Sequence, residues 1–239
     1  MNGNTAGKTP RTALEEALEV LLGCRGQIDA ESPQHWACEC ESQERQLFDW
    51  ARETGRLKPE SELLPITKLG GAEHRVKYRG EAQRWTKNTH PGTYGLYAYV
   101  EHTLDKETQH FMTRLEYGRA LPSQYLERLC FANRVFGDDI QVNAIIETRD
   151  GISIETTQPD VDGKAPDEEA VTAFMAASRF VRVPGGGPTW YRALDDLLVI
   201  DASTRNFIET EEGDVIPFDV GLQQPIGELK EYIIQQMPE

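Results

Sequence analysis

No stretch of this 239-residue sequence approaches the ~18 consecutive apolar residues that a membrane-crossing helix requires. The first ten residues, Met1 to Pro10, lack the apolar core of a secretory signal. With neither an export nor an anchoring signal in view, a cytoplasmic location and no membrane partner are expected. Basic residues are in short supply, 25 against 40 acidic, for a formal net charge of -15. A general nucleic-acid binder carries a basic face, so that class is not expected. A local basic cleft for nucleotide phosphates remains compatible with any net charge. Cysteine is scarce too, with Cys24, Cys38, Cys40 and Cys130 as the whole set. Cys24, His35, Cys38 and Cys40 can be drawn as a zinc site, but C-x-C is poor spacing for one. Unligated thiols are the expected state, and a reducing compartment disfavours disulfides. The sequence has no internal repeat and no low-complexity tract.

What is present fits a globular chain. A hydrophobic fraction of 38% over this length supplies a real core for one large domain or two small ones. Leu14, Ala17, Leu18, Leu21 and Leu22 recur at helical spacing from about Thr12 to Cys24. A second helix fits Ser42 to Gly55, with Ser42 as cap and Leu47, Phe48 and Ala51 as its stripe. These two helices carry no catalytic signal. They either pack on the back of the sheet that follows or dock a neighbouring domain, and packing is the plainer expectation.

From Ser61 the pattern turns to strands: Leu63 to Ile66, Lys68 to Tyr78 around Gly70-Gly71, a turn at Arg79-Gly80, then Ala82 to Lys87. Residues 88–120 hold β-prone runs around Tyr97 and around Phe111, separated by a turn-like stretch, and read as a hairpin. It either extends the sheet or covers a site. Pro122-Ser123 opens a helix to about Phe136, closed by Gly137, the usual asymmetry of helix ends. Strands over 140–147 and 152–157 flank an Asp150-Gly151 turn, and residues 158–163 leave the sheet as a linker. A short helix begins at Pro166 with Asp167, Glu168 and Glu169 suited to its dipole. The Gly-rich loop 184–188 lacks a following helix and lysine, so it reads as a hairpin connection and not a nucleotide loop. Residues 228–236 fit a closing helix.

The stretch with chemistry lies at 197–221. An apolar run, Leu197 to Ile200, ends in Asp201, and Asn206 follows five residues later. Two strand-like runs then flank Glu212-Gly213, and the second ends in Asp219. With Glu212 and Gly213 as a two-residue hairpin loop, Asn206 falls opposite Asp219. Directly opposed Cβ atoms lie about 4.5–5.5 Å apart, so an amide oxygen and a carboxylate would share one face around a hard cation. Mg²⁺ takes one or two such oxygens plus substrate phosphates. The alternative is a surface hairpin whose Asp and Asn only make turns.

Asp201-x-x-x-x-Asn206 resembles the catalytic loop of the protein-kinase-like fold, and Asp219-Val220-Gly221 resembles its metal-binding Asp-Phe-Gly turn. Val199 stands where that family usually has His, and the 18 residues after Gly221 contain no Ala-Pro-Glu. The match is therefore to a reduced relative, most like the small kinase-like domains of phage-associated polyvalent proteins. The resemblance implies an α+β, bilobal fold: a helical extension over 1–60, an antiparallel five-stranded N-lobe over 61–161, and a reduced C-lobe over 162–239. It implies ATP and Mg²⁺ as cofactors and a γ-phosphoryl transfer to an unidentified protein or small-molecule hydroxyl. Asp201 would orient that hydroxyl, and Asn206 and Asp219 would hold metal. Lys87, paired with Glu127 of the 122–136 helix, would contact the α/β-phosphates. Gly70 and Gly71 would cover the phosphates with backbone N–H groups, and Gln158 and Asp160 would lie in the adenine-binding hinge. Plainer readings stand beside these roles. Gly70-Gly71 suits an ordinary hairpin, Lys87 a solvated strand end, and Glu127 a surface pair with Arg128 or Arg134. The whole chain could likewise be an inert nucleotide-binding or interaction module, or a nucleotidyl transferase built from the same parts.

Overall fold

The computed structural model describes residues 11–23, 33–67, 71–104 and 110–237. It is a mixed α+β structure built from several sheets and the helices packed on them. Helix α1 (Ala13–Leu22) starts at a capping box in which Thr12 and Glu15 satisfy each other's free N–H groups. Leu14, Ala17 and Leu21 form its buried stripe. Helix α2 (Pro33–Glu53) begins well before the expected Ser42. Its buried stripe already includes Cys40 and Gln43 ahead of Leu47, Trp50 and Ala51, so Ser42 lies inside the helix and caps nothing. Both helices are part of the core. α2 packs on the central sheet and α1 on helix α3 (Pro122–Phe136), which ends at Gly137 in the left-handed conformation.

The central sheet has five strands, in the order β1 (Leu57–Lys58), β6 (Gln141–Thr148), β7 (Gly151–Pro159), β3 (Arg84–Thr89), β2 (His74–Arg79). The expected all-antiparallel arrangement holds for four of them. The fifth place belongs to β1, which runs parallel to β6 with Leu57 opposite Ile145. Residues 63–66, expected as strand, form none. Pro65 has no N–H to give a ladder. The polar groups of Leu64 go to side chains instead: its N–H donates to Asn88 Oδ1 (2.9 Å), and its carbonyl accepts from Arg75 (3.0 Å). The hairpin of β4 (Leu96–Leu104) and β5 (Phe111–Arg119) does not extend this sheet. It forms a separate two-stranded ribbon.

After the sheet, helix α4 (Glu168–Ala177) is capped by Asp167, and a second sheet follows in the order β13 (Gly221–Gln223), β10 (Leu197–Ile200), β9 (Trp190–Arg192), β8 (Val181–Arg182). The 184–188 loop joins β8 to β9 as a hairpin connection. Strand β11 (Phe207–Glu209) and β12 (Val215–Pro217) form a hairpin inserted between β10 and β13, and α5 (Gly227–Gln236) closes the described chain. One apolar core runs from Leu14 and Leu47 through Ile145 and Leu126 to Leu197 and Leu222. α3 touches both α1 and β13, and so ties the two halves together.

The segment leaving the central sheet is pinned to β11 by a two-way bridge: Lys164 N–H to Glu209 O (3.0 Å) and Glu209 N–H to Lys164 O (2.8 Å). A Cβ on Gly163 would collide with the Glu209 carbonyl and the Ile208 side chain. Gly163→Ala is therefore expected to lower stability by roughly 1–3 kcal/mol, read as a lower urea midpoint at unchanged slope. A midpoint equal to wild type would show that this backbone approach is not needed.

Candidate functional site

Helix α3, the central sheet and the end of the β11–β12 hairpin enclose one cleft. Strand β3 contributes Lys87, which lies inside the strand, opposite Val76 and Thr156, and not at its end. β7 contributes Thr156 and Gln158, β2 His74, and α3 Tyr125 and Arg128; Asp138 and Asp219 add two carboxyls, and Phe218 is among the apolar side chains of the wall. About 390 Å³ of atom-free space lies within the cleft and its mouth, but only about 20 Å³ admits the centre of a water molecule. That is room for one or two waters and far less than the roughly 300–1,000 Å³ of a small-molecule site.

Lys87 and Asp219 face each other here, Nζ to Oδ1 3.9 Å. The lysine side chain is only 15% exposed and its ammonium lies 5.9 Å from the centre of the Phe218 ring. Among the described residues neither Nζ nor the Asp219 carboxylate makes a hydrogen bond. Although Asp219 sits deep in the cleft, two fifths of its side chain still meets solvent. Burial raises its pKa, but the charges of Lys87, Arg128 and Arg205 outweigh that effect and hold it below the usual carboxylate range. It is therefore an ionised carboxylate with its lone pairs free.

The hairpin that delivers Asp219 differs from the expected register. Phe207 stands opposite Pro217, and the Phe218 N–H donates to the Asn206 carbonyl (3.0 Å). Asn206 thus pairs with Phe218 and not with Asp219, so this register does not give the shared face expected for the two, and of Asp201, Asn206 and Asp219 only Asp219 lines the cleft. The cause is the loop, which has three residues instead of two. Thr210 and Asp214 close it, and Gly213, at φ +87°, supplies the left-handed third position that such loops need. Asn206 is buried and its Nδ2 donates to the Asp201 carbonyl (2.7 Å), which leaves the amide oxygen as its uncommitted end. Asp201 itself has φ +52°, a strained backbone region for a residue other than glycine. Its carboxylate accepts from Ser203 Oγ (3.2 Å) and from Arg205 Nη2 (3.1 Å to each oxygen). Arg205 acts on Asp201 and Asp219 alike, so the two carboxylates share one electrostatic neighbourhood.

The remaining residues singled out from the sequence fall as follows. Gln158 lines the cleft and donates to the Phe218 carbonyl (3.2 Å) and to Asp138 (3.4 Å). Asp160 lies away from it, because its N–H is taken by Gln83 O (2.9 Å) and its carboxylate by the Trp85 indole (2.6 Å). That N–H is not open to an adenine. Gly71 is in open surroundings, and Gly70 lies outside the described residues. Glu127 is half-buried and is not a wall residue; its neighbour Arg128 is. Of the drawn zinc ligands, Cys38 is exposed and Cys40 buried on α2, and Cys24 lies outside the described residues. Among the described residues no cluster of three or more His, Cys, Asp or Glu could hold a metal. No helix among them is long and apolar enough to cross a membrane.

Most of the other wall residues carry no expectation from the sequence, His74, Arg128 and Asp138 among them. His74, hydrogen-bonded to Tyr125 (3.1 Å), is pushed down to about 4 by burial and the nearby cations, so it is neutral at pH 7. Arg128 had a visible signal, since it falls on the apolar stripe of Tyr125, Leu129 and Ala132. Asp138 had none; it follows a helix-ending glycine like many loop acids. Compared with family models and with curated proteins, the chain gives no match.

Burial raises the Asp138 carboxyl to about 7, against a pull downward from Lys87. The unfolded chain releases this proton near pH 4, so stability from Asp138 is complete below that and is lost as pH rises through 7. Asp138→Asn is expected to exceed wild type at pH 8 by on the order of 2 kcal/mol and to match it near pH 4. Urea midpoints at both pH values give the comparison; an equal gap at both would refute the burial account.

Proposed function

We propose that the chain is a kinase-like phosphotransferase that uses ATP and Mg²⁺ to phosphorylate a hydroxyl on a protein or small molecule. One observation carries the reading. A nearly buried lysine and an ionised carboxylate face each other at 3.9 Å, and neither makes a hydrogen bond among the described residues. The two are within ion-pair distance but share no hydrogen bond, so the desolvation of the nearly buried lysine is only partly offset. Such a pair makes sense when a ligand completes it, with anionic oxygens for Lys87 and a cation for Asp219.

The donor set fits Mg²⁺ of the phosphate-bound kind, which asks few ligands of the protein. Asp219 would hold it from the cleft wall, the amide oxygen of Asn206 would have to swing in beside it on binding, and bound metal would neutralise phosphate charge. Lys87 would bind the α/β-phosphates. Asp201 would orient the acceptor hydroxyl, with its strained backbone fixed by Asn206 and its carboxylate held ready by Ser203 and Arg205. Catalysis of this kind comes from positioning and charge, since the transferred group needs little covalent help. The cleft at rest has room for one or two waters, so its walls would have to part for phosphates to reach Lys87, with base and ribose toward its mouth. The narrower likeness to phage-associated polyvalent proteins rests on the sequence motifs alone.

The same narrowness, together with Val199 in place of His, favours a second reading: an inert module that binds nucleotide or a partner without turnover. Thermal melts and product assays separate the two. At ten times Kd, Mg²⁺–ATP stabilises by about 1.4 kcal/mol, or about 3–6 °C for a chain of this size. That shift is expected in wild type and in Asp201→Asn, and is expected to vanish in Asp219→Ala or without Mg²⁺. Transfer to an acceptor, or slow ADP release, is expected from wild type and not from Asp201→Asn. A shift retained in Asp219→Ala would refute the metal assignment, and a shift without any turnover would select the inert module.

A further inference from the structure

We infer that Arg128 is a second phosphate-binding cation of this cleft, aimed at the same anion as Lys87; the inference rests on the nucleotide reading above. The resemblance leads one to look for a carboxylate on the helix facing Lys87. Instead α3 presents a guanidinium to the cavity. The Arg128 side chain is 10% exposed, and among the described residues it hydrogen-bonds to Glu73 alone: Nη1 to Oε2 at 3.2 Å, and Nη2 to Oε1. A guanidinium has five N–H donors, so three of them have no acceptor among the described residues. No nitrogen of Arg128 is both buried and without a partner, so the spare N–H groups are bonding capacity offered at the cleft wall and not a stored cost.

The surroundings aim the group as well as bury it. The guanidinium lies 5.0 Å from the centre of the Tyr125 ring, a cation–π contact that holds it in place. Glu73 pairs with it but is not a wall residue, so the negative partner lies outside the cavity while Arg128 lines it. Inside, His74 is neutral at pH 7 and burial favours the protonated form of Asp138. Two cations, Lys87 and Arg128, therefore face Asp219 as the one carboxylate fully charged there. Metal on Asp219 would leave both cations for the phosphate chain. A planar fork with free N–H groups is suited to phosphate oxygens, which it can bind in pairs. The ligand class is thus a polyphosphate anion, with the nucleotide supplying it in the proposed reaction.

Calorimetric titration with Mg²⁺–ATP and, separately, with inorganic tripolyphosphate tests this. The variant Glu73→Gln/Arg128→Gln removes both charges, so neither is left alone in the interior. Arg128→Lys keeps the charge and loses the fork. Wild type is expected to bind both ligands, the double variant roughly 10–100-fold more weakly, as for loss of a charge-assisted hydrogen bond, and Arg128→Lys in between. If the double variant does not fold, Arg128→Lys decides alone. Wild-type affinity for both ligands in the variants would overturn the role of Arg128 and leave the nucleotide reading standing. Arg128-dependent binding of tripolyphosphate without any binding of ATP would support the anion site and sink the nucleotide reading. No binding of either ligand by wild type would overturn both.

Discussion

Lys87 and Asp219 belong to parts of the chain that share no strand. One is in the central sheet and the other follows a hairpin inserted in the second sheet. Their approach to 3.9 Å is the point on which the cleft is built. Around it the protein places a neutral histidine, a carboxyl raised to about 7, and an arginine tied to Glu73 from outside the wall. The balance is specific. Burial works against each charge, and Asp219 stays ionised because the cations around it outweigh burial. Neither sheet alone could make that environment, so packing of α3 against α1 and β13 is a condition for the site as well as for the core.

The second half of the arrangement is local. Asn206 ties its amide to the Asp201 carbonyl within five residues, and Asp201 takes a left-handed backbone to allow it. Aspartate tolerates that conformation better than most residues because its short polar side chain can bond nearby. The loop 184–188 supports the same turn from outside, through the Ala202 N–H on Pro188 O (2.9 Å). Tyr117 of the β4–β5 ribbon in turn bonds Thr189 Oγ1 (2.7 Å) and Gly186 O (3.2 Å). The ribbon therefore braces the loop beside the turn that carries Asp201.

Local pattern carried the sequence reading a long way. The helices at 13–22 and 122–136, the hairpin at 207–217 and the strand around Lys87 all follow from apolar period and turn residues. The hairpin register did not, because Glu212-Gly213 reads equally well as a two-residue loop or as the end of a three-residue one. A slip of one residue is enough to move Asn206 out of line with Asp219. Lys87's opposite number was sought on the helix as Glu127, one residue from the side chain that faces the cleft. Helical spacing from Tyr125 points to Arg128, which the sequence offers only as a surface partner for Glu127. His74, Glu73 and Asp138 were out of reach for another reason: their roles arise from contacts between distant segments, and no local pattern encodes them.

Lys87 and Asp219 meet at 3.9 Å without a hydrogen bond, and the proposed site requires a ligand to come between them. A crystal structure with Mg²⁺ and a non-hydrolysable ATP analogue tests it most directly. The account predicts phosphate oxygens on Lys87 and the metal on Asp219, with the acceptor side of the cleft open toward Asp201. A nucleotide seated elsewhere, with Lys87 still facing Asp219 at its present distance, would contradict it.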